Sequence, residues 1–448
     1  MHQKKSYIYL LTVLLFALVC GGCGGWGRSR SAEATTPPVV EMPAAAPLPV
    51  VADQTELIIR ELEERVKRND EDFTAFNKLN GYYLQRAQET GDVKYLELAD
   101  RAARSSLKVL PEDVNPSGLA GLAQSLQSLH DFTGARAAGE QLVKLQPRKA
   151  YAHRALGDAL LELGDYDKAV EAYGRMGQLT GANADLSTEI RLARLDQLYG
   201  RDERATARYA VALNLALNGV VVRPETVAWC RWQLGEAAFA AGDYAGAEKH
   251  YRDALITMPD YYRAIVSLGR VRAAQGDTGG AIAEYEKVVK RLPDPLVVAA
   301  LGDLYKLAGR DREASAQYAL VEQIATLSKL NGALYNRQLA LFYADHDLKP
   351  EEAYTLARRE YDARRDIYGA DALAWAALKA GKIQEAQTAA REALRLGTRD
   401  AKLFYHAGMI ARAAGDQSKA REHLRRALDL NPRFDPLQAP LARKALAE

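Results

Sequence analysis

Cysteine is nearly absent from this sequence, whose 448 residues include only Cys20, Cys23 and Cys230. Three cysteines cannot build a disulfide framework or a cysteine-rich zinc site. Catalytic motifs are also missing, because there is no P-loop and no HExxH pair, and the seven histidines lie far apart. We therefore expect no enzymatic activity, no cofactor and no metal site.

Excess charge of one sign is missing as well. The chain has 60 Lys and Arg against 58 Asp and Glu, and two of the bases, Lys4 and Lys5, lie in a 22-residue N-terminal segment without acids. The remainder carries as many basic as acidic side chains. A general basic field of the kind that holds nucleic acid is therefore excluded, although a local basic patch is not. We expect no nucleic-acid partner.

Long hydrophobic runs are absent except for Tyr7 to Val19, which is too short to cross a bilayer comfortably but suits the core of a secretory signal. The run ends in Cys20-Gly21-Gly22-Cys23. This end resembles a bacterial lipoprotein signal, in which small residues precede a cysteine that is lipidated as the new N-terminus. Gly21 and Gly22 favour Cys23 as the lipid attachment site, although Cys20 stands where that pattern favours Leu. Residues 1–22 are thus predicted to be a signal peptide, with ordinary cleavage or an uncleaved anchor as alternatives.

The same resemblance implies a location. In Gram-negative lipoproteins an Asp after the lipidated cysteine favours retention in the inner membrane, and Gly24 stands there instead. We expect an exported protein, lipid-anchored to the cell envelope at the outer membrane and facing the periplasm. Residues 23–52 mix prolines and alanines without periodicity, which is typical of a tether that holds the next domain off the membrane.

From residue 73 the sequence repeats with a period of about 34 residues. The clearest units begin at Ala150, Ala228, Tyr262 and Ala401, and each has a glycine at its eighth position and a Gly-Asp pair before its second half. In the unit from Ala228 these residues are Gly235 and Gly242-Asp243. The pattern resembles the tetratricopeptide repeat (TPR) family. Ten such units with three short insertions account for residues 73–434.

The resemblance implies an all-α fold: a right-handed TPR α-solenoid of about ten helix-turn-helix units. Small residues at positions 8 and 20 let the two helices of a unit approach, and Gly164 and Gly242 are expected to be left-handed before the capping residues Asp165 and Asp243. Residues 53–72 and 435–448 are predicted to be capping helices at the two ends. Docking of a partner helix on residues 56–68 is an alternative.

In this family, positions 2, 5, 6, 9 and 12 of each first helix tend to face a concave groove. Carried over to this sequence, they give a basic and aromatic mid-array patch, formed by Arg191, Arg194, Trp229, Trp232, Glu236, Phe239, Arg263 and Arg270. They also give a second cluster of Tyr368, Asp371, Trp375, Tyr405 and His406. Trp and Arg are the residues found most often at binding hot spots. Because Arg231 occupies a core position, Trp232 faces either the groove or the core.

These features predict a non-catalytic scaffold that binds a partner protein or an extended peptide in the concave groove. The alternative is a TPR component of an envelope polysaccharide export or assembly system, in which groove aromatics stack on sugars. The Lys and Asn pattern with which some TPR proteins clamp a partner's terminal carboxylate is missing from residues 116–261. A receptor for chaperone tails is therefore disfavoured.

Overall fold

The computed structural model describes residues 44–48, 52–181, 185–330 and 336–448. The predicted signal peptide, the lipid attachment site Cys23 and most of the predicted tether lie outside these residues. Within them the chain forms 22 α-helices and no β-strand. None of these helices combines the length and the apolar character needed to cross a membrane.

Twenty of the helices pair into ten consecutive hairpins. They are α2 (Phe73–Thr90) with α3 (Lys94–Val109), α4 (Pro116–Ser128) with α5 (Phe132–Leu145), α6 (Ala150–Leu163) with α7 (Tyr166–Thr180), α8 (Leu186–Leu198) with α9 (Asp202–Leu217), α10 (Pro224–Ala240) with α11 (Tyr244–Thr257), α12 (Tyr262–Gln275) with α13 (Thr278–Val289), α14 (Pro295–Leu307) with α15 (Asp311–Leu330), α16 (Asn336–Asp345) with α17 (Pro350–Ala363), α18 (Ile367–Lys379) with α19 (Ile383–Ala393), and α20 (Ala401–Ala413) with α21 (Gln417–Leu430). Helices α1 (Ala52–Arg68) and α22 (Gln438–Ala447) lie at the two ends.

The hairpins stack in chain order. Second helices pack against the first helix of the following unit, as α3 does against α4 and α11 against α12. Helix α1 packs on α2, and α22 packs against both helices of the last hairpin. The predicted all-α solenoid of ten units is confirmed.

A glycine lies against a tyrosine ring between the two helices of several units. A Cβ atom on Gly157 would lie 2.5 Å from Cε1 of Tyr173, and one on Gly235 would lie 2.6 Å from Cδ1 of Tyr251. The pairs Gly269 with Tyr285 and Gly302 with Tyr318 repeat this contact at the same spacing. Only glycine leaves room for the tyrosine ring, which explains the glycine at position 8.

The turns within the hairpins agree with expectation except at one residue. Gly164 and Gly242 have φ of 79° and 75°, in the left-handed region that ends a helix. The Asp243 carboxylate accepts the Gly246 N–H at 2.9 Å and so caps α11. The capping predicted for Asp165 is wrong, because its side chain accepts no helix N–H and instead accepts a hydrogen bond from Lys168 Nζ at 2.6 Å.

The solenoid coils so tightly that units far apart in the chain touch, and we call these the turn-to-turn contacts. One group joins the third unit to the start of the ninth: the Ile367 N–H donates to the Tyr166 hydroxyl at 3.0 Å, and Arg364 Nε donates to the Glu162 carbonyl at 2.9 Å. Arg364 also forms an ion pair with the Glu162 carboxylate. The start of helix α18 is thereby held against the third unit.

A second group joins the fifth unit to the end of the tenth. Asn431 is 1% exposed, and its Nδ2 donates to the Phe239 carbonyl at 2.7 Å. The Tyr244 hydroxyl donates to Asn431 Oδ1 at 2.6 Å. One buried amide thus links two units that are far apart in the chain, with hydrogen bonds that span 192 and 187 residues.

Gly235→Leu should destabilise the protein, because a side chain at this position overlaps the Tyr251 ring. Overpacking of this kind removes roughly 1–3 kcal/mol from the free energy of unfolding, or more. Thermal and urea unfolding followed by circular dichroism measure the loss, and limited proteolysis should map it to the fifth unit.

The matched control is Gly174→Ala in α7, where an added Cβ meets no atom within 4 Å. Alanine in an open helical position should leave stability unchanged or raise it by up to about 1 kcal/mol. If both variants unfold like the wild type, the glycine–tyrosine contact is not formed as described.

Asn431→Ala should loosen the turn-to-turn contacts without unfolding the last unit. The Phe239 carbonyl and the Tyr244 hydroxyl lose their buried partner, which removes about 1–3 kcal/mol. Hydrogen exchange should quicken around residues 239–244, although the substitution lies in another unit. The control is Asn218→Ala, at an exposed helix end, which should leave hydrogen exchange around residues 239–244 unchanged. If residues 239–244 are equally protected from exchange in both variants, the contact is not formed as described.

Candidate partner-binding surface

The predicted mid-array patch lies on three successive first helices. Helix α8 carries Arg191 and Arg194, α10 carries Trp229, Trp232, Glu236 and Phe239, and α12 carries Arg263 and Arg270. The side chains differ in burial and in their partners. These differences decide which of them can meet a ligand.

Arg191 is neutralised within the protein. Its guanidinium donates twice to Asp158, with Nε to Oδ1 and Nη2 to Oδ2 both at 2.6 Å. The Tyr173 hydroxyl donates to the same carboxylate at 2.8 Å. Burial acts to lower the pKa of Arg191, but the Asp158 charge outweighs it and holds that pKa above its ordinary value.

Arg270 has an equivalent partner in Glu236. Its Nη2 lies 2.6 Å from Glu236 Oε1, which also accepts from the Tyr251 hydroxyl at 2.7 Å and from Ser267 Oγ at 2.8 Å. Burial acts to raise the pKa of Glu236, yet Arg270 and these donors lower it below its ordinary value. The carboxylate is therefore ionised and already has its hydrogen-bond partners.

A third cluster follows the same plan with a histidine as its basic member. Asp303 Oδ1 accepts from the Tyr318 hydroxyl at 2.8 Å and lies 2.7 Å from His346 Nε2. Burial acts to lower the pKa of His346, but Asp303 outweighs it and raises that pKa. In all three clusters the acid is at position 9, the tyrosine follows fifteen residues later, and the basic group comes from a later unit. We call them the acid–tyrosine clusters.

These clusters change how the predicted patch is interpreted. The sequence pattern presented Arg191 and Arg270 as free groove residues, whereas the structure pairs both with carboxylates. The predicted patch did not include Asp158 or the tyrosines of these clusters. The signal for them was in the sequence, because an acid at position 9 recurs fifteen residues before a tyrosine at position 24.

Arg263 has a different environment, between two aromatic rings. Its guanidinium lies 5.5 Å from the Trp232 ring centroid and 5.2 Å from that of Tyr262. The side chain is exposed, and within the described part of the chain no carboxylate lies at ion-pair distance from it. We call Trp232, Tyr262 and Arg263 the Arg263 platform.

Trp232 is neither fully in the groove nor fully in the core. It is half-buried, packs beside the apolar cluster of α10, α11 and α12, and donates from Nε1 to Ser267 Oγ at 2.9 Å. Trp229 is also half-buried and meets Tyr209 edge-on, with ring centroids 6.0 Å apart. Arg231 fills the core position itself, and its Nη1 donates to the Asp253 carbonyl at 3.1 Å.

The prediction that Phe239 lies on the groove surface is wrong. Its ring is 5% exposed and packs edge-on against Tyr244, and the Arg270 guanidinium lies 4.1 Å from its centroid. Asn431 binds its carbonyl from the far turn of the coil. The ring belongs to the apolar cluster of α10, α11 and α12, so packing within the fifth and sixth units buries it.

The predicted second cluster is also interior. Asp371, Trp375, Tyr405 and His406 are all buried, with His406 fully enclosed. His406 Nδ1 lies 2.9 Å from both Asp371 oxygens, and its ring stacks on Trp375 at 4.3 Å. Trp375 Nε1 in turn donates to Asp345 at 2.8 Å. The structure thus places these four residues in a polar core rather than on a binding surface.

Tyr368, the fifth member of that cluster, is half-buried and meets the mid-array patch from the other side of the coil. The Arg194 guanidinium lies 5.7 Å from the centroid of its ring. Tyr368 belongs to α18, which the turn-to-turn contacts hold in place. Arg194 is therefore covered by α18. Arg263 is thus the patch arginine that is exposed in the structure.

The described ranges contain no group of three or more His, Cys, Asp or Glu side chains arranged to hold a metal ion. Cys230 is fully buried, and burial raises the pKa of its thiol to about 12. This thiol is therefore protonated at neutral pH and unsuited to act as a nucleophile.

Comparisons with solved structures give similarities of low identity. The human IFIT1 dimer with PPP-AAAA is 16% identical, with 85% of this chain and 87% of that one covered and a TM-score of 0.43. A tetratricopeptide repeat protein from Parabacteroides merdae is 14% identical, with 55% and 93% covered and a TM-score of 0.38. Pseudomonas aeruginosa pilF is 18% identical, with 51% and 95% covered and a TM-score of 0.36. No curated protein matches the chain.

Family models match three segments of the sequence. One tetratricopeptide repeat model matches residues 121–184 and 372–433, and a second matches residues 238–304. The segment 121–184 begins in α4 and ends a few residues after α7, and the segment 372–433 begins in α18 and ends a few residues after α21. The segment 238–304 runs from the end of α10 into α14 and includes Tyr262 and Arg263 of the Arg263 platform, but not Trp232. The chain therefore contains tetratricopeptide repeats.

Proposed function

We propose that this protein is a non-catalytic scaffold that binds a partner protein or extended peptide at the Arg263 platform. Tetratricopeptide repeats generally mediate protein–protein interaction. The observation that carries the proposal is the exposed Arg263 guanidinium between Trp232 and Tyr262, which has no carboxylate at ion-pair distance among the residues that the structure describes. Tryptophan and arginine together offer apolar area and a bidentate donor, the usual chemistry of a hot spot.

The acid–tyrosine clusters support this position for the site. Arg191 and Arg270 would have to give up short ion pairs before they could bind a ligand. Arg263 would give up contacts to two aromatic rings, a hydrogen bond with Tyr262 and an attraction to the Glu225 carboxylate, which lies beyond ion-pair distance. A cation over an exposed ring contributes about 0.5–1 kcal/mol, much less than a charge-assisted bidentate pair in a partly buried site. An acidic group on the partner therefore competes best at Arg263.

The polysaccharide alternative requires aromatic faces that a sugar ring can cover. Arg263 lies over the Trp232 ring, and the Trp229 ring is half-buried beside Tyr209. This arrangement favours the protein partner. Bound glycan recovered with the wild-type protein would support the alternative.

We further propose that the scaffold is exported and lipid-anchored through Cys23 at the outer membrane, facing the periplasm. The support is the sequence alone, namely the apolar run followed by Gly21-Gly22-Cys23. The anchor and the binding site are independent proposals, and each has its own test.

Cys23→Ala should release the protein from membranes or stall its processing. Two or more acyl chains contribute roughly 0.8 kcal/mol per buried methylene, enough for stable membrane residence. Fractionation and intact-mass analysis of the mature N-terminus measure the change, with Cys20→Ala as control. A wild-type protein that is fully soluble and has an unmodified N-terminus would show that there is no anchor.

Arg263→Glu should weaken capture of the native partner by about tenfold or more, equivalent to about 1.4 kcal/mol, because it repels the acidic group that Arg263 is proposed to bind. The effect should shrink at high salt, where exposed charges are screened. Partner capture from the source organism is measured by quantitative mass spectrometry for the wild type and for Arg263→Glu. The control is Arg252→Glu, a charge reversal at an exposed position of the second helix α11.

Trp229→Ala tests the adjoining part of the mid-array patch, outside the Arg263 platform. If the partner also covers Trp229, loss of this tryptophan weakens binding by about thirtyfold, or about 2 kcal/mol. Trp232→Ala is less informative because it also removes a hydrogen bond to Ser267. A partner retained equally by wild type, Arg263→Glu and Trp229→Ala would exclude this surface as the binding site.

A further inference from the structure

An open groove of about 860 Å³ lies along helix α21, away from the first helices that carry the Arg263 platform. Its lining includes Arg421, Arg425 and Arg426 of α21 and Arg399 of the loop before α20. Glu422 and Asp429 also line it. We call it the α21 groove.

The arginines of this groove are not all neutralised. Arg421 and Arg425 are exposed, and within the described ranges neither has a carboxylate at ion-pair distance. Arg426 lies over the Phe404 ring at 4.3 Å, and Arg399 lies 3.3 Å from Asp202. Two guanidinium groups on one face are therefore available to an external anion.

The charge of this region differs from that of the whole chain. Residues 391–448 hold twelve Lys and Arg against seven Asp and Glu, whereas the complete sequence is almost balanced. The groove therefore lies in a local positive field. It is the kind of patch that overall composition leaves undetected.

The spacing of the free arginines favours an extended chain. Arg421 and Arg425 are one helical turn apart, about 6 Å along the axis. Alternate side chains of an extended peptide repeat every 6.4–6.8 Å or so on one face. Carboxylates at alternate positions would therefore each reach one guanidinium, in the bidentate geometry that arginine favours.

Glu422 and Asp429 indicate which anion fits. A uniformly charged polymer such as nucleic acid, or an anionic bilayer surface, would place negative charge against both carboxylates. A peptide can place neutral or basic residues there. The mixed lining thus favours a protein segment over a uniform polyanion.

We propose that the α21 groove binds an extended acidic segment of a partner protein, with Arg421 and Arg425 each engaging one carboxylate. The site is separate from the Arg263 platform and does not rest on the function proposed for it. A chain with both sites can hold two partners, or two segments of one partner, at once.

The probe is a fluorescein-labelled ten-residue peptide in which Glu alternates with Ser, titrated with the full-length protein and followed by anisotropy. The double variant Arg421→Glu/Arg425→Glu should weaken binding at least tenfold, and raised salt should weaken wild-type binding in the same way. The matched control, Arg175→Glu/Arg252→Glu, reverses two exposed charges on other second helices and should bind like the wild type. Arg263→Glu should also bind normally, which separates this test from that of the proposed function.

Two results would overturn the proposal. One is unchanged peptide binding by the α21 double variant, provided that circular dichroism shows it to be folded; Arg421→Gln/Arg425→Gln replaces it if it is not. The other is tighter binding of an oligothymidylate or of anionic phosphatidylglycerol vesicles than of the peptide, lost in the same variant. That outcome would assign the groove to a uniform polyanion.

Discussion

The contact between a glycine at position 8 and a tyrosine at position 24 is the constraint on which both the fold and the candidate site depend. Because Gly235 has no side chain, the Tyr251 ring can pack against it, and the Tyr251 hydroxyl donates to Glu236. Gly157 and Gly302 do the same in their own units. One packing contact therefore sets the distance between helices and also positions the carboxylate on the first helix. The packing of the two helices and the position of the carboxylate at position 9 are therefore linked.

This coupling explains why so few charged side chains on the first helices are free. Where position 9 is an acid, the tyrosine and a basic group from a later unit bind it. Where position 9 is basic, as at Arg194 and Arg270, the side chain is itself a donor and has its partner on another helix. Arg270 bonds to Glu236 and Arg194 meets Tyr368. The proposed binding site therefore uses a side chain outside this pattern, Arg263.

The repeat architecture could be predicted from the sequence because its determinants are local. Gly242-Asp243 ends one helix and begins the next, and Gly235 with Tyr251 fixes the hairpin, all within one unit. The hydrogen bond to the Phe239 carbonyl could not be predicted, because its donor, Asn431, lies 192 positions later. His406 and Trp375 were misassigned for a related reason: family positions give the direction of a side chain but not what covers it.

The turn-to-turn contacts have a consequence for how the chain unfolds. In an open solenoid each unit interacts only with its neighbours, so stability is close to a sum along a line and the ends fray independently. Here Asn431 and Tyr166 form contacts between units that are not neighbours in the chain, so the stability of one unit depends on a distant one. Loss of the tenth unit removes support from the fifth, and loss of the ninth removes it from the third. The middle of the array should thus lose structure together with its C-terminal end, giving a long repeat protein the all-or-none unfolding expected of a much smaller globular domain.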